Sequence, residues 1–439
     1  MIGRTMNGTM AEGPFGWFRE GMKGPTPPKV DRAYIEEQVT MAQAISRPTW
    51  AEIDLSAVTH NARVLSGLVK PAELCAVVKA HGYGHGGPAV AKAARAGGAR
   101  GLAVALLDEG IELRQHDVTG PILLLSECSG DAVEGALNYG LTPTLYSHEG
   151  IAEFSEAARK SDKQAPVHLK VDTGMHRVGA QPKDVPDLVR AIAENPHLHL
   201  EGMWTHLAVA DGETAEDREF TLGQLETFNR LARELLAAGF DADTVHAANT
   251  AGAIAFPSAR YGMVRCGIGL YGYLPGPAVK SAFAAALPGV SLKPVMSLRA
   301  RVVSVRTLPA GARPSYGRLR PLPKDSIVAT IPIGYADGVP RALFTNGYGV
   351  LIGGKRRPLA GMVTMDQIVV DCEDDQSVRP GDEVVLIGRQ GNEEITADEW
   401  ASLLGTISYE VICGIGPRVP RLLTHGPKVD EETASPPMA

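Results

Sequence analysis

The sequence predicts an α/β protein in which a (β/α)8, TIM-like barrel is followed by a smaller, mostly antiparallel β domain. Two observations carry this prediction. Between residues 47 and 288, eight apolar strand-like runs alternate with helix-like segments, which is typical of a parallel-stranded barrel. From residue 289 to 424, short β-branched runs separated by Gly, Pro and Asp turns replace that alternation and indicate an antiparallel sheet.

The barrel prediction rests on eight strand-like runs with helix-like segments between most of them. The eight runs are Leu74–Ala80, Gly101–Leu107, Pro121–Ser126, Thr142–Tyr146, Val167–Asp172, Glu201–His206, Thr244–Asn249 and Val264–Tyr271. The helix-like segments between them include Gly87–Ala96, Glu149–Lys160, Lys183–Glu194 and Asp217–Ala238. An open doubly wound sheet is the alternative, although no glycine-rich dinucleotide fingerprint follows the first run.

The later runs predict the strands of the β domain. They are Met296–Val305, Ser326–Ile333, Gly349–Ile352, Ile368–Asp371 and Glu383–Ile387, and the first long helix after them is Ala397–Leu404. A strand near residues 50–55 precedes the barrel and could pair with this domain. Residues 1–46 are expected to form a disordered extension, in which Asp31–Ala44 could be a short helix, and residues 425–439 a flexible tail.

Composition excludes several classes of protein. With 439 residues, 44% hydrophobic and 21% charged, the chain is long enough for two folded units with a large core. A net charge of −7 without a long basic run gives no footprint for nucleic acid or an anionic membrane. The five cysteines are widely spaced without metal-ligand spacing, and no stretch could span a bilayer. We therefore expect a soluble cytoplasmic protein without a metal.

Polar side chains stand where barrel strands end. They are Lys79, Lys170, Asp172, His206, Asn249 and Arg265. In a barrel these ends meet at one mouth, which predicts an active site there. Lys79 is followed by a loop of glycines, histidines and a tyrosine up to Gly86, so backbone can approach a ligand closely. The alternative is a lysine that simply reaches solvent as its strand ends.

Seven motifs across both domains resemble those of the alanine racemases, pyridoxal-phosphate enzymes with a barrel and a C-terminal β domain. The motifs lie at 76–86, 168–179, 264–272, 315–317, 333–338, 363–367 and 407–421. The resemblance covers about residues 47–423. It implies interconversion of L- and D-alanine, with D-alanine supplying peptidoglycan, in a homodimer with composite active sites.

The resemblance also implies how the cofactor would be held. Lys79 is the amine to which pyridoxal 5′-phosphate attaches, and Arg265 faces the pyridine nitrogen with support from His206 and Asn249. A guanidinium cannot readily give up a proton, so the ring nitrogen would stay largely unprotonated. The phosphate would be bound by backbone amides and hydroxyl groups, and the residues implied here are Tyr83, Thr250, Gly267, Ile268 and Tyr409.

Racemisation needs a proton removed from one face of Cα and returned to the other, which two bases accomplish most simply. By resemblance these are Lys79 and Tyr316, and the tyrosine would come from the partner subunit. Arg177 would hold the substrate carboxylate. The other implied residues are Met365 and Asp366 for the carboxylate, Lys170 as a possible carbamate, and Asp211, Tyr335 and Arg341 in the access corridor. Tyr316 and Tyr409 together should favour a methyl side chain.

Three residues depart from the family pattern, namely His81 in the lysine loop, His176 in place of a glycine, and Met362 in place of an arginine in the corridor. Other functions stay open. A basic amino-acid decarboxylase would place a carboxylate, not Arg265, against the ring nitrogen. A broad-specificity racemase differs only in pocket volume. A non-catalytic pyridoxal-phosphate carrier would lack the β domain, and a barrel without any cofactor would lack yellow colour.

Overall fold

A computed structural model describes residues 47–162 and 164–425. The expected extension over 1–46, with its helix at Asp31–Ala44, and all of the tail except His425 lie outside these residues. Within the two described ranges, no helix combines the length and the apolar character needed to cross a membrane.

The first strand, β1 (Thr49–Asp54), belongs to the C-terminal sheet although it precedes the barrel. It pairs antiparallel with one strand of that sheet, Met296–Arg301, and parallel with another, Arg421–Thr424. Asp54 then caps the first helix, because its carboxylate accepts hydrogen bonds from the backbone N–H groups of Ser56 and Ala57 at 2.9 and 3.2 Å. The chain therefore passes from one domain to the other at Asp54.

Eight parallel strands form the barrel. They are β2 (Glu73–Val77), β3 (Gly101–Val104), β4 (Ile122–Leu124), β5 (Thr144–Leu145), β6 (Ala165–Lys170), β7 (Leu198–Trp204), β8 (Thr244–His246) and β9 (Met263–Cys266). Their order is β4-β3-β2-β9-β8-β7-β6-β5. A parallel bridge between Leu123 and Thr142 joins the two outer strands, so the barrel is nearly closed. The predicted barrel is confirmed, and the open doubly wound sheet is wrong.

Helices connect the barrel strands on the outside. They are α1 (Leu55–Val69), α2 (Gly87–Ala96), α3 (Leu107–Gln115), α4 (Asp131–Asn138), α5 (His148–Lys160), α6 (Val185–Ala193), α7 (Ala215–Ala237), α8 (Thr250–Ala255) and α9 (Gly276–Ala286). The four helices predicted by periodicity all form, one with the predicted ends and the others with ends shifted by at most two residues. Thr214 explains one shift, because its side chain and that of Asp217 form a capping box that starts α7 at Ala215.

All eight barrel strands end before the apolar runs that predicted them, and two of these differences bear on the site. The run Val264–Tyr271 is a strand only to Cys266, and Ile268–Tyr271 forms a 3₁₀ turn after Gly267. The run that carries Lys79 is a strand only to Val77. After β9 the apolar run continues because the following turn is itself buried, whereas in the part of the run after β2 only Val78 is buried and the chain turns at the exposed residues Ala80 and His81. Hydrophobicity alone therefore overestimates the length of both strands.

The C-terminal domain contains the remaining elements. They are β10 (Met296–Arg301), β11 (Ser304–Leu308), β12 (Ser326–Ile331), α10 (Ala342–Thr345), β13 (Gly349–Ile352), β14 (Lys355–Pro358), β15 (Ile368–Asp371), β16 (Glu383–Gln390), β17 (Glu393–Ile395), α11 (Ala397–Leu404), α12 (Ser408–Cys413) and β18 (Arg421–Thr424). One sheet has the order β14-β13-β16-β10-β1-β18 with β17 on β16, and a second has the order β11-β12-β15. The single predicted run Met296–Val305 is thus two strands in two sheets.

Both domains share one continuous apolar core, which runs from the barrel helices through β1 into the C-terminal sheet. Ala51 and Ile53 of β1 are fully buried in it. Burial of this common core stabilises the two domains against each other, and it keeps the barrel mouth next to α12.

Candidate active site

Lys79 follows β2 at the mouth of the barrel, and the chain then turns in an unusual way. The four residues from Ala80 to Tyr83 all have left-handed backbone angles, with φ between 51 and 62°. Such a conformation costs a residue with a Cβ roughly 1 kcal/mol or more, so other contacts must hold it. One is the hydrogen bond from the Ala80 N–H to the Glu109 carboxylate at 2.6 Å. The left-handed turn therefore fixes where the Lys79 side chain begins.

The positive charges around Lys79 favour its neutral amine. Burial lowers the pKa of Lys79, and the nearby charge of Arg177 lowers it further. Lys170 lies at the end of β6 with only 2% of its surface exposed. Burial, together with Arg177 and Arg265, lowers the pKa of Lys170 to about 8. Two lysines and two arginines thus share one mouth, and both lysines give up their protons more readily than in water.

Arg265 is buried at the centre of the barrel on β9. Its guanidinium donates to His246 Nδ1 at 2.6 Å and to the carbonyl oxygens of Thr205 and Ala247 at 2.8 and 3.0 Å. It also lies 3.3 Å from His206 Nδ1. Burial and the charge of Arg265 hold the pKa of both histidines well below the usual value. Arg265 is therefore a cation held by neutral acceptors.

Trp204, at the end of β7, packs its ring against two of these cations. Its ring lies 4.4 Å from the Arg265 guanidinium carbon and 4.6 Å from Lys170 Nζ, both measured to the ring centroid. It also stacks on His246. A buried aromatic face stabilises cations where no carboxylate pairs with them directly, so Trp204 supports both side chains.

A second cluster lies beside Lys79 and combines hydroxyl groups with glycine backbone. The Thr250 hydroxyl accepts hydrogen bonds from the N–H groups of Gly267 and Gly269 at 3.1 and 3.4 Å. The Tyr83 hydroxyl lies so close to Gly267 that a Cβ there would be 2.3 Å from its oxygen. The Tyr83 ring is 6.2 Å from the Tyr409 ring. Hydroxyl and amide groups suit a phosphate group, and glycine at 267 is required for their close approach.

Asn249 and Ile268 support this cluster in different ways. The Asn249 side-chain oxygen accepts a hydrogen bond from Gly252 N–H at 2.9 Å and so caps α8, which begins at Thr250. Ile268 is buried at the start of the turn that follows Gly267. Burial raises the pKa of Tyr409, and the nearby groups Tyr83 and Asp211 raise it further, so Asp211 lies near the same mouth.

Apart from Tyr409, the predicted residues of the C-terminal domain are exposed to solvent in a single chain. The exposed fractions are 70% for Tyr316, 51% for Met365 and 40% for Tyr335. Arg341 is exposed as well, and the Asp366 side chain is 58% exposed. These residues form a separate, solvent-facing set.

Arg418 joins the segment that carries Met365 and Asp366 to a buried carboxylate, which Arg47 also contacts. Arg418 contacts Asp366 at 2.7 Å and the fully buried Asp337 at 3.3 Å, while Arg47 pairs with Asp337 at 2.6 Å. Backbone bonds from Tyr335 and Ala336 to the carbonyls of Thr364 and Met365, each 3.0 Å long, clip the same segment. The segment of Met365 and Asp366 is therefore held in place by an ion pair and by backbone hydrogen bonds.

Family models decide the relationship of the chain. The model described as alanine racemase, N-terminal domain matches residues 53–275, and the alanine racemase, C-terminal domain model matches residues 295–423. The chain belongs to the alanine racemase family.

Individual members of the family cover almost the whole described chain. An alanine racemase of Symbiobacterium thermophilum is 48% identical over 85% of this chain and 97% of its own length. The crystal structure of an alanine racemase from Streptomyces lavendulae matches with a TM-score of 0.79 at 36% identity, over 87% of this chain and 98% of that one. A histidine racemase of Leuconostoc mesenteroides matches with a TM-score of 0.77 at 29% identity, over 87% and 99%.

The three residues that depart from the alanine racemase pattern lie outside the cluster of lysines and arginines at the barrel mouth. His81 is exposed and 3.3 Å from Glu112. His176 has a φ of 53°, which explains why a glycine is commoner there, and its ring lies 3.3 Å from Asp172. Met362 is partly buried, and its carbonyl oxygen accepts a hydrogen bond from the Ser315 hydroxyl at 2.6 Å. None of the three displaces the lysines or arginines described above.

Several residues around the alanine racemase site were not predicted from the sequence. They are Trp204, His246, His168, Tyr271 and Glu109. His168 and His246 lie inside apolar strands, where an isolated histidine is usually interpreted as a core residue without a function. Their alternation with apolar neighbours toward the barrel interior is the signal that could have found them.

Proposed function

We propose that the chain binds pyridoxal 5′-phosphate and interconverts L- and D-alanine. The observation that carries the proposal is the arrangement of one mouth: an amine with a lowered pKa, a buried guanidinium on neutral acceptors, and a cluster of hydroxyls and amides around Gly267. These three groups fit the aldehyde, ring nitrogen and phosphate of that cofactor. When bound, the cofactor withdraws electrons from the substrate Cα and makes its proton acidic.

In this proposal the chain's own residues hold the cofactor and move protons. Tyr83, Thr250, Gly267, Ile268 and Tyr409 would bind the phosphate. Arg265, supported by His206 and Asn249, would face the ring nitrogen without protonating it, because a guanidinium keeps its protons. Arg177 would orient the substrate carboxylate. Its charge also lowers the pKa of Lys79, which favours the neutral amine that a base requires.

The lowered pKa of Lys170 supports its proposed modification. A buried amine with a pKa of about 8 is neutral in about a tenth of molecules at pH 7, far more than an ordinary lysine, and the neutral amine can add to carbon dioxide with release of a proton. The carbamate would carry a negative charge beside Arg177 and Arg265. It would thereby convert a repulsive neighbour of both arginines into an attractive one and orient Arg177.

The second base would come from another copy of the chain. Tyr316 is 70% exposed in a single chain, and the side chains of Met365 and Asp366 are exposed on the same domain. We propose a homodimer in which these residues complete the partner's site, with Asp211, Tyr335 and Arg341 lining the access corridor. In the cell we expect the enzyme in the cytoplasm, with D-alanine supplied to peptidoglycan.

Two variants test the assignment of bases. Lys79→Ala should abolish racemisation. Tyr316→Phe should lower it by about 10²-fold or more, while exchange of the Cα proton of one enantiomer with solvent continues through Lys79. Proton NMR in D₂O measures the exchange, and chiral chromatography measures racemisation. If Tyr316→Phe racemises at the wild-type rate, the two-base assignment is wrong.

Mixing the two inactive variants tests the composite site. In a dimer that contains one Lys79→Ala chain and one Tyr316→Phe chain, one site has both bases intact. Random reassociation of equal amounts should therefore restore about a quarter of wild-type activity. Sites built within one chain would give no recovery. A panel of L-amino acids that includes histidine measures substrate breadth, since one solved relative is a histidine racemase.

A further inference from the structure

A line of side chains runs from Arg265 through the barrel to its wall. Arg265 Nη1 lies 2.6 Å from His246 Nδ1, His246 Nε2 lies 2.9 Å from His168 Nδ1, and His168 Nε2 lies 3.2 Å from the Glu201 carboxylate. The line crosses four neighbouring strands, from β9 to β6 and back to β7 at Glu201. Both imidazoles are fully buried, while the Glu201 side chain is 19% exposed.

Two local features of the barrel bring Glu201 and His168 together. The pairing of β6 with β7 shifts at this point: Val167 is opposite Leu200 and His168 is opposite Gly202, so Glu201 is an extra residue. Such a bulge re-aims the side chain that it contains. Gly202 provides the space, because a Cβ there would be 2.4 Å from the His168 ring. The contact thus depends on a bulge and on a glycine at adjacent positions.

The donors and acceptors along the line determine where each proton lies. A guanidinium only donates, so His246 Nδ1 must accept and the proton of this imidazole is on Nε2. That N–H points at His168 Nδ1, which must also accept, so His168 carries its proton on Nε2. The carboxylate of Glu201 accepts this last N–H. Every hydrogen bond therefore points from Arg265 toward Glu201, with both imidazoles neutral.

We propose that Glu201 and His168 are positioning residues for Arg265. They hold His246 in the tautomer that accepts a hydrogen bond from the guanidinium. In this way they fix the orientation of the Arg265 guanidinium relative to the cofactor ring. The opposite tautomer would direct an N–H of His246 against an N–H of Arg265 and displace the guanidinium. This inference rests on the proposed function for its consequence at the cofactor, whereas the tautomers themselves do not depend on a cofactor.

The test compares three variants of the full-length protein. Glu201→Ala removes the acceptor, Glu201→Gln keeps an oxygen that can accept, and Glu73→Gln is a matched control. Glu73 is also a barrel-strand carboxylate, and its side chain is 22% exposed. Pyridoxal 5′-phosphate is removed and titrated back, with its absorbance reporting binding, and Tm of the cofactor-free protein is measured in parallel.

We expect Glu201→Ala to weaken cofactor binding about 10-fold, because loss of a hydrogen bond that orients a binding group typically lowers affinity by about that factor. It should lower kcat while KM for alanine changes less than about twofold, since Arg265 does not bind the substrate carboxylate. Glu201→Gln should stay within about threefold of wild type. A role confined to stability would lower Tm in Glu201→Ala without weakening the cofactor binding of the folded protein.

Either of two results would overturn the proposal: cofactor binding by Glu201→Ala equal to that of the Glu73→Gln control, or binding by Glu201→Gln as weak as by Glu201→Ala. Solid-state NMR of ¹⁵N-histidine protein, assigned by difference with His168→Gln, reads the tautomers directly. We expect both imidazoles to carry the proton on Nε2, and a proton on Nδ1 of either would refute the inference. A wild-type protein that binds no cofactor would refute the proposed function instead.

Discussion

Replacing Gly267 by alanine should destabilise the protein through a single overlap. The new Cβ would lie 2.3 Å from the Tyr83 hydroxyl oxygen and 3.0 Å from the ring carbon that bears it. Carbon and oxygen come into contact at about 3.3 Å, so the overlap is about 1 Å. Tyr83 cannot easily retreat, because its ring stacks on Tyr271 at 4.6 Å and Tyr271 is itself bonded to the Val77 carbonyl.

Overlaps of this kind in a packed interior cost about 1–3 kcal/mol, so we expect the free energy of unfolding to fall by about 2 kcal/mol. Urea unfolding of cofactor-free protein, at one protein concentration, measures this as a lower midpoint with an unchanged m-value. Cofactor affinity should fall as well, because the displaced hydroxyl belongs to the proposed phosphate site. Gly223→Ala is the control, since a Cβ there meets nothing within 4 Å.

A second substitution makes the reasoning refutable. Tyr83→Phe removes the hydroxyl oxygen that the new Cβ would overlap. The double variant should therefore recover about 1–2 kcal/mol of the unfolding free energy lost in Gly267→Ala. This coupling would not arise from a general disturbance of the turn. Additive effects of the two substitutions, to within about 0.5 kcal/mol, would show that the Tyr83 hydroxyl is not what excludes a side chain at 267.

Three further predictions concern charge and backbone. Arg418→Met should lower kcat/KM about fivefold by releasing Asp366, with Arg389→Met as a surface control that should have no effect. The folded-state pKa of Lys170 is about 8 and the usual value is 10.5, so between these pH values the unfolded chain binds one more proton than the folded chain. The free energy of unfolding, measured with urea in carbonate-free buffer, should therefore rise from pH 8 toward 10 by up to about 1.4 kcal/mol per pH unit. Lys170→Met should flatten that rise. His176→Gly should raise the free energy of unfolding by up to about 1 kcal/mol by relieving the positive φ, and a decrease would mean that the contact with Asp172 outweighs the strain.

The barrel could be predicted from sequence because its evidence is local. Alternating apolar runs and helical segments located all eight strands, and the ends of those strands located Lys79, Lys170 and Arg265. The turn after Lys79 could not be predicted in the same way. Four successive left-handed residues, of which three carry a Cβ, contradict local preferences and depend on contacts such as the bond to Glu109.

The interior of the site was predicted less completely for a related reason. His168 and His246 acquire a role only when a bulge sets Glu201 beside one and the barrel sets Arg265 beside the other. Bulges arise from pairing between strands, which periodicity within one strand does not reveal. Tyr316 presents the opposite case: its motif is recognisable in the sequence, but a single chain leaves its side chain in solvent.

The position of β1 has a consequence for how the protein is made. This strand leaves the ribosome before the barrel, yet of its neighbours in the sheet β10 is synthesised only after the whole barrel and β18 only near the end of the chain. Its apolar residues Ala51 and Ile53 therefore have no partner strand until the whole barrel has been synthesised, and β1 lacks its second neighbour until the chain is nearly complete. The C-terminal domain, expressed without it, would lack an inner strand and expose two open sheet edges, which favours aggregation. The two domains matched by the family models therefore depend on being part of one chain. Neither should be expected to fold if the gene is cut at the boundary between them.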